Sequence, residues 1–303
     1  MRTLDRAVGK WANILVALGV PSHVVNGKHQ QCPICKNGKD TFRFDPTAEL
    51  GTWFCGYCPQ QRKIGIDFLT LYFNVDNKEA LNMIDSVIGK GIEPVKIEKR
   101  DPAPMLRRAY KQMREPEKDV IEYLKSRGLK PTKEIKQATL KYWHDGKDYG
   151  NFECMTAIIQ DATGKAQSIH ITYLKDGRKA DLPVDKKIMT PIDTITGGAI
   201  RLGGIKSVIG IAEGIETALS CSKMLGGIPV WATISANGME KFEPPEGVKN
   251  VIIFADNDDN YVGQSSAFNC ARRLTSQGFI VDVRIPVRED FNDDLMAYLK
   301  GEE

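Results

Sequence analysis

The sequence has no excess of charge of one sign, no long apolar run and no low-complexity tract. Its 42 Lys and Arg nearly balance its 39 Asp and Glu, so the chain as a whole is not a polybasic nucleic-acid binder. No apolar stretch approaches the roughly 20 residues that a membrane-spanning helix needs. The Gly-x4-Gly-Lys-Ser/Thr loop of many nucleotide-driven motors is missing, and so is any internal repeat. The 303 residues are therefore expected to form two or three domains with their own cores.

The segment from Met1 to Val20 has the pattern of an amphipathic helix rather than of an export signal. The apolar residues that recur at helical spacing are Leu4, Val8, Trp11, Leu15 and Leu18. An acid and a Lys–Trp pair interrupt the apolar stretch, which does not suit a signal peptide. We therefore expect a cytoplasmic protein, whose clustered cysteines stay reduced and favour a metal ion over disulfides.

Four of the seven cysteines form two Cys-x2-Cys pairs with the overall spacing C-x2-C-x19-C-x2-C. They are Cys32, Cys35, Cys55 and Cys58. This spacing predicts one structural zinc ion, because each pair supplies two thiolates to a tetrahedral site from a hairpin tip. The intervening runs TFRFD and GTWFC are expected to pair as two strands. Cys154, Cys221 and Cys270 are isolated, and each is expected to be a small buried hydrophobe.

The segment around these cysteines carries a modest positive charge. From Met1 to Lys63, nine Lys and Arg stand against four Asp and Glu, which permits contact with phosphate groups. Lys39, Arg43 and Trp53 are candidates to bind single-stranded DNA through phosphates and base stacking. His29 is either a base contact or an ordinary surface residue. The three phenylalanines of the two strands are expected to pack in the interior.

Changes of pattern along the chain predict four segments. Residues 1–90 contain the zinc ribbon and two helical stretches, and residues 91–118, with four prolines and dense mixed charge, predict a linker that turns helical near its middle. Residues 119–200 begin with a helix and continue as short β-like runs between turns, which predicts an antiparallel platform. Apolar runs alternate with helices in residues 201–303, which predicts a mostly parallel, Rossmann-like sheet. The predicted fold class is thus multidomain, α+β and α/β.

Acidic residues follow three of the apolar runs in the last segment. Glu213 follows VIGIA, and Asp256 and Asp258 follow NVIIFA. Because the carboxyl ends of parallel strands share the sheet edge where open α/β sheets bind ligands, these side chains are expected to lie together. Carboxylates suit Mg²⁺ or Mn²⁺, which bridges phosphates and assists phosphoryl transfer. Asp290 is a further candidate ligand, and Glu213 is either a ligand or a general base.

These residues carry a resemblance to a known family. The stretch from about 205 to 300 resembles a Toprim domain, whose signature is a strand-end Glu followed by Gly and then a D-x-D strand end. The matching residues are Glu213, Gly214, Asp256, Asn257 and Asp258. An N-terminal zinc ribbon combined with this domain resembles the DNA primases of phages and plasmids. The segments YLKSRGL, KKIMTPI and GGAIRLGG also resemble those that precede the Toprim core in that group.

The resemblance implies a primase that makes short RNA primers on single-stranded DNA by two-metal phosphoryl transfer. It implies ribonucleoside triphosphates as substrates, magnesium or manganese at the Toprim acids, and a zinc ribbon that reads a short template motif. It also implies that basic residues ahead of the Toprim core hold nucleotide phosphates and template. The residues at the matching positions are Lys186, Lys187 and Arg201. Because the chain has no helicase motif of the phosphate-loop kind, a replicative helicase is expected in trans, in the cytoplasm of a bacterial host.

The sequence departs from the motifs of cellular primases in two places, and two other functions remain as alternatives to a primase. Thr217 stands where many cellular primases have an Asp, with Glu216 one residue earlier, and the late acidic motif reads Asp-Phe-Asn-Asp rather than Asp-Pro-Asp. A Toprim-type metal-dependent nuclease would use the same acids to cleave DNA. A zinc-ribbon DNA-binding replication accessory protein would retain the scaffold without catalysis. A topoisomerase is disfavoured, because the chain is too short for its clamp domains.

Overall fold

The chain divides into two units, Met1–Arg100 and Asp101–Glu303, each with its own buried residues. The computed structural model describes residues 2–58, 63–88, 101–144 and 147–302. Part of the predicted linker, residues 91–100, lies outside the described residues. None of the described helices is long and apolar enough to cross a membrane.

The first unit contains short helices around a two-stranded hairpin. Its elements are α1 (Thr3–Ala7), α2 (Trp11–Ala17), a 3-10 turn (Ser22–Val25), β1 (Phe42–Phe44), β2 (Trp53–Cys55), α3 (Gly65–Phe73) and α4 (Asn77–Ile88). Strands β1 and β2 pair antiparallel, which confirms the predicted strand pair. The carboxylate of Asp76 accepts the backbone N–H of Glu79 at 2.8 Å and so caps the start of α4.

The single helix predicted for the segment from Met1 to Val20 is wrong, since the structure has two short helices there. Gly9 separates them with a φ of +71°, a left-handed conformation that suits glycine. Its N–H donates to the carbonyl of Glu49 at 2.8 Å, which fixes the break. As a result Trp11 of α2 is buried, whereas Leu4 of α1 is exposed.

An aromatic cluster forms the core of this unit. The ring of Phe68 in α3 lies 5.7, 5.8 and 5.9 Å, between centroids, from those of Phe42, Phe44 and Trp53. Such ring pairs contribute roughly 0.5–1.5 kcal/mol each beyond the area that they bury. Helix α3 therefore holds the hairpin from its inner side.

The second unit begins with two helices and an antiparallel sheet. These helices and this sheet are together called the platform. Its elements are α5 (Ala103–Gln112), α6 (Lys118–Ser126), β3 (Lys136–His144), β4 (Lys147–Gln160), β5 (Ala166–Lys175), β6 (Arg178–Lys179) and β7 (Lys186–Ile188). The strand order is β3-β4-β5-β6, and β7 also pairs with β5. Side chains of β5 are buried on both faces, because α5 covers one face and the rest of the unit covers the other.

A four-stranded parallel sheet completes the second unit. Its elements are β8 (Val208–Ala212), α7 (Ile215–Met224), β9 (Val230–Ala232), α8 (Ala236–Glu240), β10 (Asn250–Phe254), α9 (Val262–Ser276), β11 (Ile280–Arg284) and α10 (Phe291–Lys300). The order is β11-β10-β8-β9 and every pair is parallel, as predicted. One buried cluster joins this sheet to the platform through residues such as Met155, Leu174, Ile215 and Phe254. The carboxyl ends of β8 and β10 thus face side chains of the platform.

Candidate functional site

The four paired cysteines bring their sulfurs together in the first unit. All four Sγ atoms lie within 4.8 Å of one another. Cys32 and Cys58 are 3.7 Å apart, as are Cys35 and Cys55, far beyond the roughly 2.05 Å of a disulfide. A tetrahedral zinc ion with bonds of about 2.3 Å places its sulfur ligands about 3.8 Å apart. The four residues therefore fit a structural zinc ion.

The local backbone favours a thiolate at this site. The N–H of Tyr57 donates to the Sγ atom of Cys55 at 3.4 Å. Burial opposes ionisation of Cys55, but the N–H groups of Tyr57 and Cys58 outweigh it and lower the pKa of Cys55 to about 7. Burial instead raises the pKa of Cys32 and of Cys58 in the same cluster, so a bound zinc ion would be needed to hold these two as thiolates.

The outer face of the hairpin carries an exposed aromatic ring beside a cation. Strand pairing sets Phe54 opposite Arg43, and both line an open cavity with His29 and Trp53. Phe54 is 57% exposed, and the ammonium of Lys63 lies 5.1 Å from the centre of its ring. The predicted packing of all three phenylalanines therefore holds for the two in β1 and is wrong for Phe54.

Trp53 occupies a different environment from the one that base stacking needs. It is 4% exposed, and its indole N–H donates to the carbonyl of Ile64 at 3.1 Å. The rings of Phe42 and Phe68 each lie 5.9 Å from that of Trp53, and this burial corrects the expectation that Trp53 itself stacks on a base. His29 remains exposed, and its Nδ1 lies 3.2 Å from the carbonyl oxygen of Asp40.

The strand-end acids gather at one edge of the parallel sheet. Ala212 and Phe254 are paired in register at the ends of β8 and β10, so Glu213 and Asp256 follow them on neighbouring strands. Both side chains line a cavity of about 230 Å³, and so does Asp290. Asp290 also caps α10, since its Oδ1 accepts the N–H groups of the second and third residues after it.

Asp258 lies beside this cavity at the start of α9. Its Oδ2 accepts the N–H of Gly263 at 3.1 Å. A Cβ atom on Gly263 would lie 2.8 Å from the carbonyl oxygen of Asp256 and 3.1 Å from Oδ2 of Asp258. The glycine therefore lets α9 approach the acidic loop closely and helps to fix both carboxylates.

Burial and mutual repulsion dominate the ionisation of these acids. Burial, followed by the charges of Glu213, Asp290 and Asp258, raises the pKa of Asp256 to about 7. Burial and then the charge of Asp258 also raise the pKa of Glu213. The Oδ1 atom of Asp256 is buried without a hydrogen-bond partner. Buried carboxylates whose neighbours are other carboxylates fit a divalent cation, whose charge would offset their repulsion.

The spacing of the acids suits a partly hydrated cation. Within residues 2–58, 63–88, 101–144 and 147–302, the four cysteines alone bring three or more ligand atoms within 4.8 Å of one another. The acidic oxygens are therefore more widely spaced than the sulfurs. Magnesium usually keeps several waters and takes only one or two carboxylates from the protein, so wider spacing is compatible with it.

The platform supplies the opposite wall of the cavity. Its lining side chains are Tyr123, Arg127, His170, Lys179 and Lys186. Successive residues of a strand point to opposite faces of a sheet, so Lys186 and Lys187 separate. Lys186 lies 3.3 Å from Oε2 of Glu216 in this cavity. Lys187 instead donates to the carbonyl of Trp143 and lies over the ring of Tyr142.

Arg201 lies outside the acidic cavity. Its guanidinium donates to the carbonyl oxygens of Asp161 and Ala162, both at 2.8 Å, and lies 4.8 Å from the centre of the Trp231 ring. It therefore joins the platform turn to β9. Of the three basic residues singled out from the sequence, the structure brings only Lys186 to the acids.

Several polar residues of the cavity were not predicted as site residues, Glu216 and His170 among them. Glu216 is buried between Tyr123 and Lys186. His170 lines the same cavity, and its Nδ1 has no hydrogen-bond partner. One sequence feature could have drawn attention to Glu216, because it is the only charged residue in the run IETALSC, which is otherwise apolar or small.

Three domain families match the chain. Residues 27–65 match the zinc-binding domain of primase-helicase, residues 100–202 match a domain of unknown function (DUF7146), and residues 208–301 match the Toprim domain. These matches define a Toprim protein that carries a primase-type zinc ribbon. The combination of a primase-type zinc ribbon with a Toprim domain confirms the resemblance to phage- and plasmid-type primases that was predicted from the motifs.

Several solved primase structures are similar to the chain at low identity. The RNA polymerase domain of Mycobacterium tuberculosis primase DnaG is 14% identical over 54% of this chain and 56% of that one, with a TM-score of 0.33. A second match comes from the complex of bacteriophage T7 lagging-strand DNA polymerase with the primase domains of two gp4 subunits. One chain of that complex is 15% identical over 91% of this chain and 92% of its own length, with a TM-score of 0.30. The alignment spans about half the length of the mycobacterial chain. The assignment depends on the domain matches, since TM-scores below 0.5 do not establish a shared fold.

Proposed function

We propose that the protein is a DNA primase that synthesises short RNA primers on single-stranded DNA from ribonucleoside triphosphates. The main support is the cavity in which Glu213, Asp256 and Asp290 face Lys186 of the platform. Carboxylates that suit a divalent cation, opposite an ammonium that suits phosphate, are what phosphoryl transfer requires. A primase-type zinc ribbon on the same chain supports a DNA template as the partner.

Each side chain of the cavity has a distinct part in this proposal. Asp256 and Asp258 would hold magnesium or manganese, with Glu213 and Asp290 as the further carboxylates of the metal site. A cation bound there would neutralise charge on the triphosphate. Glu213, whose pKa burial raises, would also accept the proton of the 3′-hydroxyl as its oxygen bonds to the α-phosphorus of the incoming nucleotide. The bond between the α- and β-phosphates breaks, and pyrophosphate leaves. Lys186 binds phosphate oxygens.

The proposal also assigns a task to each segment of the chain. Residues 1–90 bind the template. Residues 91–118 are the linker expected from the sequence, but residues 101–118 belong to the second unit, where α5 packs against the antiparallel sheet, and so they are part of the polymerase core. Residues 119–200 form the platform of that core, and residues 201–303 form its Toprim domain. A replicative helicase acts as a separate partner, in keeping with the missing phosphate-loop motif.

The test is primer synthesis on a library of single-stranded DNA with labelled ribonucleotides, magnesium and zinc-loaded protein. We expect short products from the wild type and from Glu246→Gln, which alters an exposed acid before β10. Glu213→Gln should lower the rate by at least about 100-fold, the usual contribution of a general base. Repeating the assay with a replicative helicase tests the expected partnership.

The same assay separates the two alternatives. Magnesium-dependent shortening of the DNA, with no products in either condition, would contradict the primase and favour the Toprim nuclease. DNA binding with neither synthesis nor cleavage, also in the presence of the helicase, would favour the non-catalytic accessory protein.

The outer face of the hairpin is proposed to read the template. Phe54 offers an exposed ring for base stacking, Arg43 offers a cation for phosphate, and His29 lies at the same cavity. Trp53 supports these residues from within the core. Base stacking contributes roughly 1–3 kcal/mol per base, so Phe54→Ala should weaken binding to single-stranded DNA by about 5- to 100-fold.

Fluorescence anisotropy with a labelled oligonucleotide measures this change in the full chain. Leu50→Ala is the matched control, because Leu50 is also an exposed apolar residue of this unit. It should bind DNA as the wild type does, and both variants should retain zinc. Equal affinities for Phe54→Ala and the wild type would contradict the stacking role.

A further inference from the structure

Glu216 is a buried acid in the wall of the cavity, separate from the acids at the strand ends. Its side chain is 7% exposed. The hydroxyl of Tyr123 donates to Oε1 at 2.6 Å, and the ammonium of Lys186 donates to Oε2 at 3.3 Å. Burial opposes its ionisation, but Lys186 and Tyr123 outweigh burial and lower the pKa of Glu216 to about 2. Glu216 is therefore a charged partner of Lys186 at neutral pH.

Three separate elements meet at this carboxylate. Glu216 lies in the first turn of α7, only three residues after Glu213, while Tyr123 lies in α6 and Lys186 in β7. Ser220 adds a further tie, because its hydroxyl donates to the carbonyl of Glu216 and accepts the side-chain amide of Asn292. The position of Lys186 is thus fixed from the Toprim side of the cavity, although Lys186 belongs to the platform.

Lys186 lies within electrostatic reach of the acids that are proposed to hold the metal. Its charge lowers the pKa of Glu213 and of Asp256 as well as that of Glu216. An unrestrained lysine side chain has four rotatable bonds and would pair with whichever carboxylate it reaches. Pairing with Glu213 or Asp256 would place an ammonium where a divalent cation would bind.

A polar ligand is indicated beside the same lysine. His170 is 7% exposed, lines the cavity and has an Nδ1 atom without a hydrogen-bond partner. Strand pairing places His170 and Lys186 on the same face of the platform, because Thr172 pairs with Lys186 and lies two residues after His170. An ammonium has three donors, so Lys186 retains donors for a ligand after it binds Glu216.

We propose that Glu216, supported by Tyr123, is a positioning residue that keeps the Lys186 ammonium off the metal-binding acids and presents it to the triphosphate of the incoming nucleotide. This inference rests on the proposed function, since it names the part of that site that orders its charges. Loss of Glu216 has two consequences. The nucleotide loses a fixed cation, and the released lysine competes with the divalent ion for Glu213 and Asp256.

The experiment is a double-mutant cycle with Glu216→Gln, Lys186→Met and the double variant, all in the full chain. Fluorescently labelled ATP is titrated without a divalent cation, and magnesium is titrated by calorimetry without nucleotide. Glu216→Gln should weaken both affinities by about 10-fold, the effect of losing one hydrogen bond to a charged group. Lys186→Met should weaken ATP binding as much while leaving magnesium binding intact or tighter.

The double variant decides between positioning and a purely structural role. If Glu216 acts through Lys186, the double variant should bind magnesium and ATP as Lys186→Met does. If it keeps the magnesium defect of Glu216→Gln, the positioning role is overturned. Both affinities can be measured whether or not the protein makes primers. Primer synthesis by the wild type together with unchanged affinities in Glu216→Gln would contradict the inference alone.

Two further variants guard against a folding defect in Glu216→Gln. Tyr123→Phe removes one hydrogen bond to the carboxylate and keeps its pair with Lys186, so both affinities should fall in the same direction by about 2- to 3-fold. Unchanged affinities in a folded Tyr123→Phe would overturn the proposal even if Glu216→Gln does not fold. Glu246→Gln, at an exposed acid, should bind both ligands as the wild type does.

Discussion

Replacing Asp256 by Asn is expected to remove primer synthesis while making the metal-free protein more resistant to heat. The activity should fall by at least about 1,000-fold, which corresponds to about 4 kcal/mol of transition-state stabilisation supplied by a bound metal ion. The amide has the shape of the carboxylate but is neutral, so it lacks the negative charge that binds a divalent cation. Loss of activity alone would also follow from unfolding, so the effect on stability is the more informative half of the prediction.

The stability should rise because the native site holds charges that repel one another. Asp256 has a buried oxygen with no hydrogen-bond partner, and burial, followed by three neighbouring acids, raises its pKa. Removing its charge relieves this repulsion, by about 1 kcal/mol after allowance for solvent screening. In a unit of about 200 residues, a change of about 1 kcal/mol shifts the melting temperature by about 2–4 °C.

Scanning calorimetry with and without magnesium measures both states. Magnesium should stabilise the wild type and have little effect on Asp256→Asn, because the variant has lost a ligand. Asp259→Asn is the matched control, since Asp259 is an exposed acid in the same loop. It should keep both the synthesis and the melting temperature of the wild type. Full-rate synthesis by Asp256→Asn, or a melting temperature below that of the wild type, would contradict the proposed site.

The grouping of acids at one edge of the parallel sheet was predictable from the sequence, because the pattern that defines it is local. Each acid follows directly on an apolar run, and alternation of such runs with helices predicts parallel strands whose ends coincide. The structure places Glu213 and Asp256 on neighbouring strands for this reason. The exact spacing of their oxygens depends on the loops and on α9, which the sequence pattern does not describe.

The alternation of inward and outward side chains along β2 could have shown which aromatic residue of the hairpin is exposed. Cys55 must point inward to bind zinc, so alternation along β2 directs Trp53 inward and Phe54 outward. Residue type alone instead favours Trp53 as the ring that stacks on a base. The structure follows the alternation, with Trp53 buried and Phe54 exposed.

The part of Glu216 in the cavity could not be predicted from local sequence. Its partner Tyr123 is 93 residues away along the chain, and Lys186 is 30 residues away. Similarly, Lys186 and Lys187 are equivalent in the sequence, and only the register of β7 on β5 shows which one faces the acids. These contacts come from packing between the platform and the parallel sheet.

Replacing Cys55 by Ser is expected to remove zinc and unfold the first unit while leaving the second unit folded. Cys32, Cys55 and Cys58 belong to the buried cluster of the first unit, together with the aromatic core. Strands as short as β1 and β2 do not form a stable hairpin by themselves. The apparent free energy of binding structural zinc is about 10–16 kcal/mol in small domains. This exceeds the few kcal/mol of stability that a core of this size supplies. The zinc ion is therefore expected to decide whether this unit folds.

This prediction is tested by measuring the zinc content and the amide hydrogen exchange of the full chain. The wild type should contain one zinc ion and Cys55→Ser should contain none. Amide protection should be lost over residues 2–88 and kept over residues 101–302, since the remaining buried clusters consist of residues from Leu106 onward. Cys270→Ser is the control, because this isolated cysteine in α9 lies far from any Cys-x2-Cys pair in the sequence, and the variant should keep its zinc.

The two ligands of the proposed primase should respond differently to the loss of zinc. Single-stranded DNA binding should fall, because Phe54 and Arg43 depend on the hairpin for their placement. ATP binding should persist, because the side chains that line the acidic cavity all belong to the second unit. A Cys55→Ser protein that keeps its zinc and its exchange protection would show that the cysteines are not a structural site. Equal loss of both ligands would show that the nucleotide cavity depends on the ribbon.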